Sequence, residues 1–150
     1  IKYYKTLEKC VCLILHRGHE HFSYPSPDMV KEFHEAFKIG NEEVPVAEIS
    51  KKDYQLRYEL MKEENEEYLE AAENGDLIEI ADACGDMLYI LCGTLLKHGL
   101  QYKIAEVFKE IQSSNMSKLD EKGEPIYRED GKVLKSKLYF KPDIQTVLNN

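Results

Sequence analysis

The sequence has no long apolar run, no excess of basic residues and no signal peptide, and each absence argues against a class of protein. No stretch approaches the roughly 18 apolar residues that a membrane-spanning helix needs. Asp and Glu number 28 against 20 Lys and Arg, and the net charge of −8 argues against binding a nucleic-acid polymer, which requires a basic surface. The missing signal peptide predicts a cytoplasmic protein.

The CxxC motif is also absent. The sequence contains four cysteines and no CxxC motif, which argues against a zinc site or a thioredoxin-like redox site. Two of them lie inside apolar helical patterns, so reduced core thiols in a cytosolic protein are the simplest interpretation of the four, which are Cys10, Cys12, Cys84 and Cys92.

The residues that are present fit a folded domain with an uneven charge distribution. Hydrophobic residues make up 43% of the 150 positions, enough to build a core. Residues 59–82 contain ten acids and one lysine, whereas residues 132–141 contain four lysines and no acid. Acidic helices often only solubilise a surface, so the charge pattern by itself leaves the meaning of the acidic segment open.

Apolar residues recur at helical spacing in five stretches. The pattern predicts helices over residues 3–15, 27–39, 51–73, 76–98 and 102–113. Ser26 and Ser50 are expected to be N-caps, while Gly40 and Gly75 are expected at helix ends. The sequence then changes character, and residues 126–128 and 132–134 predict two short strands about a turn. The expected organisation is an N-terminal helix and loop over residues 1–25, followed by a helical domain over residues 26–150.

The apolar stripe of the third predicted helix continues into carboxylates. Leu56 and Leu60 mark the expected buried face, and the next helical steps reach acidic residues. Clustered carboxylates near a core repel one another and are costly to desolvate. The residues in question are Glu63, Glu64 and Glu67.

The fourth predicted helix places more acids beside its apolar stripe, namely Glu79, Asp82 and Asp86. A tight turn at Asn74 and Gly75 should make the two helices antiparallel, so that the two sets of acids approach each other. A hard divalent cation would compensate their repulsion, and all-oxygen ligation suits Mg²⁺, with Mn²⁺ as a substitute. A di-iron site is not expected, because no helix carries a Glu-x-x-His motif.

Several of these motifs, taken in order, resemble the all-α nucleoside triphosphate pyrophosphatase superfamily, which includes MazG-like proteins, dimeric dUTPases and phosphoribosyl-ATP pyrophosphohydrolase. Residues 63–67 fit its EExxE motif, residues 79–82 fit its ExxD motif, and Asp86 resembles its later aspartate. Three further segments resemble a phosphoribosyl-ATP pyrophosphohydrolase-like subgroup: Phe-His-Glu-Ala-Phe at 33–37, Ser-Asn-Met-Ser-Lys at 114–118 and Asp-Gly-Lys-Val-Leu-Lys at 130–135. The resemblance covers about residues 29–143.

The resemblance implies a fold and an activity. The fold would be an all-α, MazG-like helical bundle completed by assembly into a homodimer or homotetramer, with a small C-terminal β-hairpin or extended tail. The activity would be Mg²⁺-dependent cleavage of the α–β linkage of an NTP or dNTP into a monophosphate and pyrophosphate, which cleans a nucleotide pool. The alternatives are dUTPase-like activity, phosphoribosyl-ATP pyrophosphohydrolase activity, or a non-catalytic helical scaffold that retains the acidic motif.

The resemblance also implies roles for individual residues. Glu63 or Glu64 would take a proton from water or orient it. The expected metal ligands are Glu64, Glu67, Glu79, Asp82 and Asp86. Cationic, amide and aromatic side chains would contact the phosphates, sugar and base of the substrate, although Phe33 and Phe37 are on spacing alone more typical of a core. The expected substrate-binding residues are Phe33, His34, Phe37, Asn115, Lys118, Lys132, Lys135 and Tyr139.

Overall fold

The structure, a computed structural model, describes residues 26–150, and the helix and loop predicted before residue 26 lie outside them. The described residues form five helices: α1 (Pro27–Ala36), α2 (Lys51–Asn74), α3 (Leu77–Lys97), α4 (Ile104–Met116) and α5 (Ile144–Asn149). They contain no strand, only an isolated antiparallel bridge. This part of the chain is therefore all-α, as predicted. None of these helices is long and apolar enough to cross a membrane.

The described residues belong to two compact units. The first ends at Gln101 and contains α1, α2 and α3, and the second comprises Tyr102–Asn150 and contains α4 and α5. The domain predicted over residues 26–150 thus contains both units.

Local capping signals define the turn between α2 and α3. Gly75 ends α2 with φ of 68°, and the backbone N–H groups of Gly75 and Asp76 donate to carbonyls of the last turn of α2. The Asp76 carboxylate then caps α3 by accepting from the backbone N–H of Ile78 and Glu79. At the other end of the pair, Lys97 in α3 lies 3.1 Å from the Asp53 carboxylate in α2. The two helices are therefore antiparallel, as predicted.

Helix α1 ends earlier than the sequence predicts. Its last residue is Ala36 rather than a residue near 39, because Lys38 adopts a left-handed conformation with φ of 58°. The Lys38 N–H donates to the Glu35 carbonyl and the Ile39 N–H donates to the His34 carbonyl, the pattern of a Schellman C-cap. The expected terminator, Gly40, lies beyond this cap. Ser26 occupies the N-cap position as predicted, without a side-chain hydrogen bond to the helix.

The core of the first unit lies where α1 packs on the C-terminal half of α3. Val30 of α1 is buried together with Cys92 and Leu96 of α3. Cys92 is therefore a core thiol as predicted, whereas the prediction is wrong for Cys84, which is exposed. On α2, the sequence predicts that Leu56 and Leu60 mark the buried face; Leu60 is half-buried, but Leu56 is 46% exposed. The covered face of α2 is rotated from it and includes the buried residue Ala71.

The segment between α1 and α2 is bound to the end of α3 by backbone hydrogen bonds. The Glu42 N–H donates to the Leu96 carbonyl at 2.9 Å, and the Val46 N–H donates to the His98 carbonyl at 3.0 Å. Gly99 sits against this segment with φ of 63°, and a Cβ there would lie 2.0 Å from the Val44 carbonyl oxygen. This close approach requires glycine at position 99.

The second unit is bound together by three serines. The buried Ser114 hydroxyl donates to the Phe140 carbonyl, and the Ser117 hydroxyl accepts from the Phe140 N–H. The Ser136 hydroxyl donates to the Ser117 carbonyl. These contacts fix the C-terminal tail against the end of α4, which extends to Met116 rather than to the predicted residue 113.

Two features of the second unit differ from the strand and tail predictions. Where two short strands are predicted, the described residues have one bridge between Tyr127 and Val133, supported by the Leu134 N–H donating to the Ile126 carbonyl. The sequence did not predict α5, whose first turn is capped by the Asp143 carboxylate.

Candidate active site

Glu64 is the central carboxylate of the acidic site. It lies on the covered face of α2, seven residues before the buried Ala71 and therefore two turns away on the same side. The residue as a whole is half-buried, but its Oε2 atom is covered and has no hydrogen-bond partner among residues 26–150. A covered carboxylate oxygen without a donor is costly, and it indicates that a cationic partner belongs there.

The other acids around Glu64 come from both helices. Burial is the main factor that raises the pKa of Glu64, and the negative charges of neighbouring carboxylates raise it further, namely Glu67, Asp86, Glu63 and Asp82. The structure thus brings together five of the six acids that the sequence singled out. The sixth, Glu79, lies in the first turn of α3, where its N–H donates to Asp76. It is not among the charges that act on Glu64.

The carboxylates are neighbours without forming a closed coordination shell. In the described part of the chain, no group of three or more His, Cys, Asp and Glu side chains is arranged so that it could hold a metal ion. The donor set still fits a hard divalent cation, because it consists only of carboxylate oxygens and one of them is covered and unpartnered.

Three aromatic side chains of the first unit contact one another. The rings of Phe33 and Phe37 on α1 and its C-cap are 4.3 Å apart between centroids, and Phe33 meets Tyr89 of α3 edge-on at 5.9 Å and 81°. Phe33 is 39% exposed, Phe37 66% and Tyr89 41%. Phe33 and Phe37 are therefore not core residues, which corrects the role that their spacing suggests.

Tyr89 was missed by the sequence analysis, although a signal for it was available. It follows Asp82 by seven residues and Asp86 by three, which places all three on one face of α3. The helical spacing that groups the acids therefore also predicts Tyr89 on their face of α3.

His34 lies in the interior of the first unit. It is 2% exposed, and its Nδ1 is 2.5 Å from the Asn41 side-chain oxygen. Its Nε2 faces α3, where a Cβ at Gly93 would lie only 3.1 Å away. Burial lowers the pKa of His34, and the positive charges of Arg57 and Lys97 act in the same direction, whereas the Asn41 hydrogen bond opposes them. This environment favours a structural role for His34 over the predicted contact with substrate.

An ion pair holds the ends of α2 and α3 that lie away from the Asn74–Gly75 turn. The Asp53 carboxylate accepts from the Ser50 hydroxyl at 2.6 Å and pairs with Lys97 at 3.1 Å. The Ser50 hydrogen bond is the main factor that lowers the pKa of Asp53, followed by Lys97. These contacts help to set the register of the helices that carry the acids.

The remaining predicted substrate-binding residues belong to the second unit, where the structure pairs four of them. The Lys118 Nζ donates to the Asn115 side-chain oxygen at 2.7 Å. The Lys135 Nζ lies 4.2 Å from the centre of the Tyr139 ring. Lys132 is exposed, and its backbone N–H donates to Asp130.

Residues 26–150 thus define an all-α protein with an acidic site between two antiparallel helices. The sequence profile of the phosphoribosyl-ATP pyrophosphohydrolase family matches residues 30–115, which is more than half of the chain. The chain therefore belongs to that family, which confirms the predicted superfamily.

Individual known proteins resemble the chain less clearly than the family profile does. No curated protein matches the chain. Among solved structures, the chain is similar to a “putative NTP pyrophosphohydrolase” from Exiguobacterium sp. 255-15, with 21% identity, a TM-score of 0.45, and coverage of 97% of this chain and 91% of that chain. A likeness at this level is too low to support a conclusion about this chain.

Proposed function

We propose that the chain is a Mg²⁺-dependent nucleoside triphosphate pyrophosphohydrolase that acts on the cytoplasmic nucleotide pool. It would cleave the α–β linkage of an NTP or dNTP and release a nucleoside monophosphate and pyrophosphate. The observation that carries the proposal is the covered, unpartnered Oε2 of Glu64, surrounded by carboxylates from α2 and α3. Family membership supports a pyrophosphohydrolase in general.

The acidic residues divide into two roles under this proposal. The metal would be held by carboxylate oxygens from among Glu64, Glu67, Glu79, Asp82 and Asp86. When bound, Mg²⁺ would neutralise phosphate charge and lower the pKa of a coordinated water. Glu63 or Glu64, whichever stays outside the metal's ligands, would accept the proton as the water oxygen bonds to the α-phosphorus. The bond from that phosphorus to the bridging oxygen would break, and pyrophosphate would leave.

A further set of side chains would supply cations and hydrogen-bond donors for the phosphates and sugar. Lys118, Lys132 and Lys135 carry the positive charge, and Asn115 and Tyr139 can donate hydrogen bonds. The pairing of Lys118 with Asn115 and of Lys135 with Tyr139 supports this role, because paired side chains lose less conformational freedom on binding.

Exposed apolar side chains support assembly of the chain into a homodimer or homotetramer. Leu69 on α2 is 56% exposed, and Leu77 and Ile78 at the start of α3 are more exposed still. Apolar side chains left in solvent along two packed helices are typical of a subunit interface.

Pyrophosphate release from a panel of nucleoside triphosphates, with Mg²⁺ and with EDTA, tests the proposed reaction. Glu64→Gln should lower kcat at least about 100-fold, because it removes a metal and proton site. The matched control is Glu66→Gln on the opposite face of α2, where Glu66 only makes a surface pair with Lys62. The control should keep wild-type turnover. Wild-type turnover in Glu64→Gln would refute the role of Glu64, and no pyrophosphate release by the folded wild type would favour the non-catalytic scaffold.

Phosphoribosyl-ATP is a second candidate substrate, and the family to which the chain belongs favours it. Including it in the same panel separates the two functions. Turnover of phosphoribosyl-ATP alone would replace the proposed activity on the nucleotide pool. Turnover of dUTP alone would narrow the proposed activity to that of a dUTPase-like enzyme.

A further inference from the structure

Tyr89 occupies a defined position on the face of α3 that carries the acids. Asp82, Asp86, Tyr89 and Gly93 follow one another at steps of four, three and four residues, so they form one stripe along the helix. At the Gly93 end, the stripe is covered by His34 and Arg57, the nearest groups to a Cβ at that position. At the other end, the charges of Asp82 and Asp86 act on Glu64. Tyr89 therefore lies between the packed end and the acidic end.

The surroundings of Tyr89 form an exposed aromatic patch, which we define as Phe33, Phe37 and Tyr89. The Phe33 ring meets the Tyr89 ring edge-on and lies at 32° to the Phe37 ring. All three side chains remain more than a third exposed. An aromatic patch in solvent next to a charged cluster is typical of a ligand surface, because aromatic faces are favourable stacking partners for nucleobases.

We infer that Tyr89 contacts the nucleobase of the substrate and helps to set base preference, an inference that rests on the proposed function for the occupant of the acidic end. A triphosphate bound at the carboxylates would extend its nucleoside along α3 toward Tyr89, which is three residues and therefore about 4.5 Å of helix beyond Asp86. Phe33 holds the Tyr89 ring from its side. The patch thus selects a nucleotide over an inorganic polyphosphate.

Binding measurements separate this inference from the catalytic proposal. The probes are non-hydrolysable α,β-imido triphosphates with different bases, and inorganic tripolyphosphate as a base-free ligand, each titrated calorimetrically in the presence of Mg²⁺. Tyr89→Leu should weaken nucleotide binding roughly 5- to 150-fold, the equivalent of about 1–3 kcal/mol per stacked base. It should leave the Kd for tripolyphosphate unchanged and alter the ranking of bases. Tyr89→Phe, which keeps the ring, should rescue binding.

The matched control is Tyr58→Leu, which removes an exposed tyrosine of α2 that makes no ring contact in the described residues. It should bind every probe as the wild type does. Three results would overturn the inference. They are unchanged nucleotide binding in Tyr89→Leu, an equal loss for tripolyphosphate, and a smaller oligomer in sedimentation, which would show that a second copy covers the patch.

Different experimental results would refute the catalytic proposal and the inference about Tyr89. If the wild type binds nucleotides through Tyr89 but releases no pyrophosphate, the base contact stands and the proposed reaction falls. If the wild type releases pyrophosphate and Tyr89→Leu binds normally, the reaction stands and the base contact falls. Wild-type protein that binds no nucleotide overturns both.

Discussion

Burial changes the chemistry of single residues in this protein, and His34 and Glu64 show it in opposite ways. Burial disfavours the charged form of both groups, so it lowers the pKa of the histidine and raises that of the carboxylic acid. His34 has a hydrogen-bond partner in Asn41 and can stay neutral. Glu64 has an oxygen without a partner among residues 26–150, which is the condition that a bound cation would relieve.

The lowered pKa of His34 predicts a pH dependence of stability. Below its usual pKa of 6.5, the unfolded chain takes up a proton on this histidine more readily than the folded chain does. The stability associated with neutral His34 is therefore fully present above pH 6.5 and is lost as the pH falls through the folded pKa. His34→Gln should reduce the decrease in unfolding temperature between about pH 7 and pH 5. Identical pH profiles for the variant and the wild type would contradict this account.

At the scale of the helices, local capping residues set the ends of α2 and the start of α3, whereas long-range contacts position the segment between α1 and α2. Ser50, Gly75 and Asp76 end or begin helices through contacts within four residues, and these caps place α2 antiparallel to α3. The segment between α1 and α2 is not positioned by capping contacts of this kind. It is positioned by backbone hydrogen bonds to the end of α3 and by the space that Gly99 leaves for Val44.

Two glycines with similar backbone conformations should therefore respond differently to substitution. Gly75 and Gly99 both have φ between 60° and 70°, but a Cβ at Gly75 meets nothing within 4 Å, whereas one at Gly99 meets the Val44 backbone. Gly75→Ala should cost about 1–2 kcal/mol, the strain of a left-handed alanine. Gly99→Ala should cost roughly 3 kcal/mol or more, because the segment must also move. Urea unfolding of the two variants measures the difference, and equal losses would show that the Val44 contact is unimportant.

At the scale of the whole molecule, the helices of the first unit leave apolar side chains in solvent. Among residues 26–150, the buried cluster of Val30, Cys92 and Leu96 is small for two helices of 24 and 21 residues. A second copy would bury the exposed residues of α2 and α3, and burial of that apolar surface would stabilise the assembly at about 25 cal/mol per Å² before the entropic cost of association.

Disruption of this surface should change the oligomeric state. Leu69→Glu places a charge on an exposed apolar position of α2 and should shift the sedimentation coefficient toward a smaller species, with helical content retained. The control is Val44→Gln, which changes an exposed apolar residue outside the helices and should leave the assembly unchanged. A concentration-independent monomer in the wild type would refute the proposed homo-oligomer.

The sequence alone determined the helical class, the turn at Gly75 and, apart from Glu79, the acids that approach Glu64, because these depend on capping residues and on the 3.6-residue period. The tertiary structure decided which faces are covered. Phe33 and His34 are neighbours in the same helix, yet His34 is buried against Gly93 while Phe33 stays exposed beside Tyr89. Helical spacing specifies which residues share a face, but only the packing of α1 on α3, between residues about 60 positions apart, decides which face meets solvent.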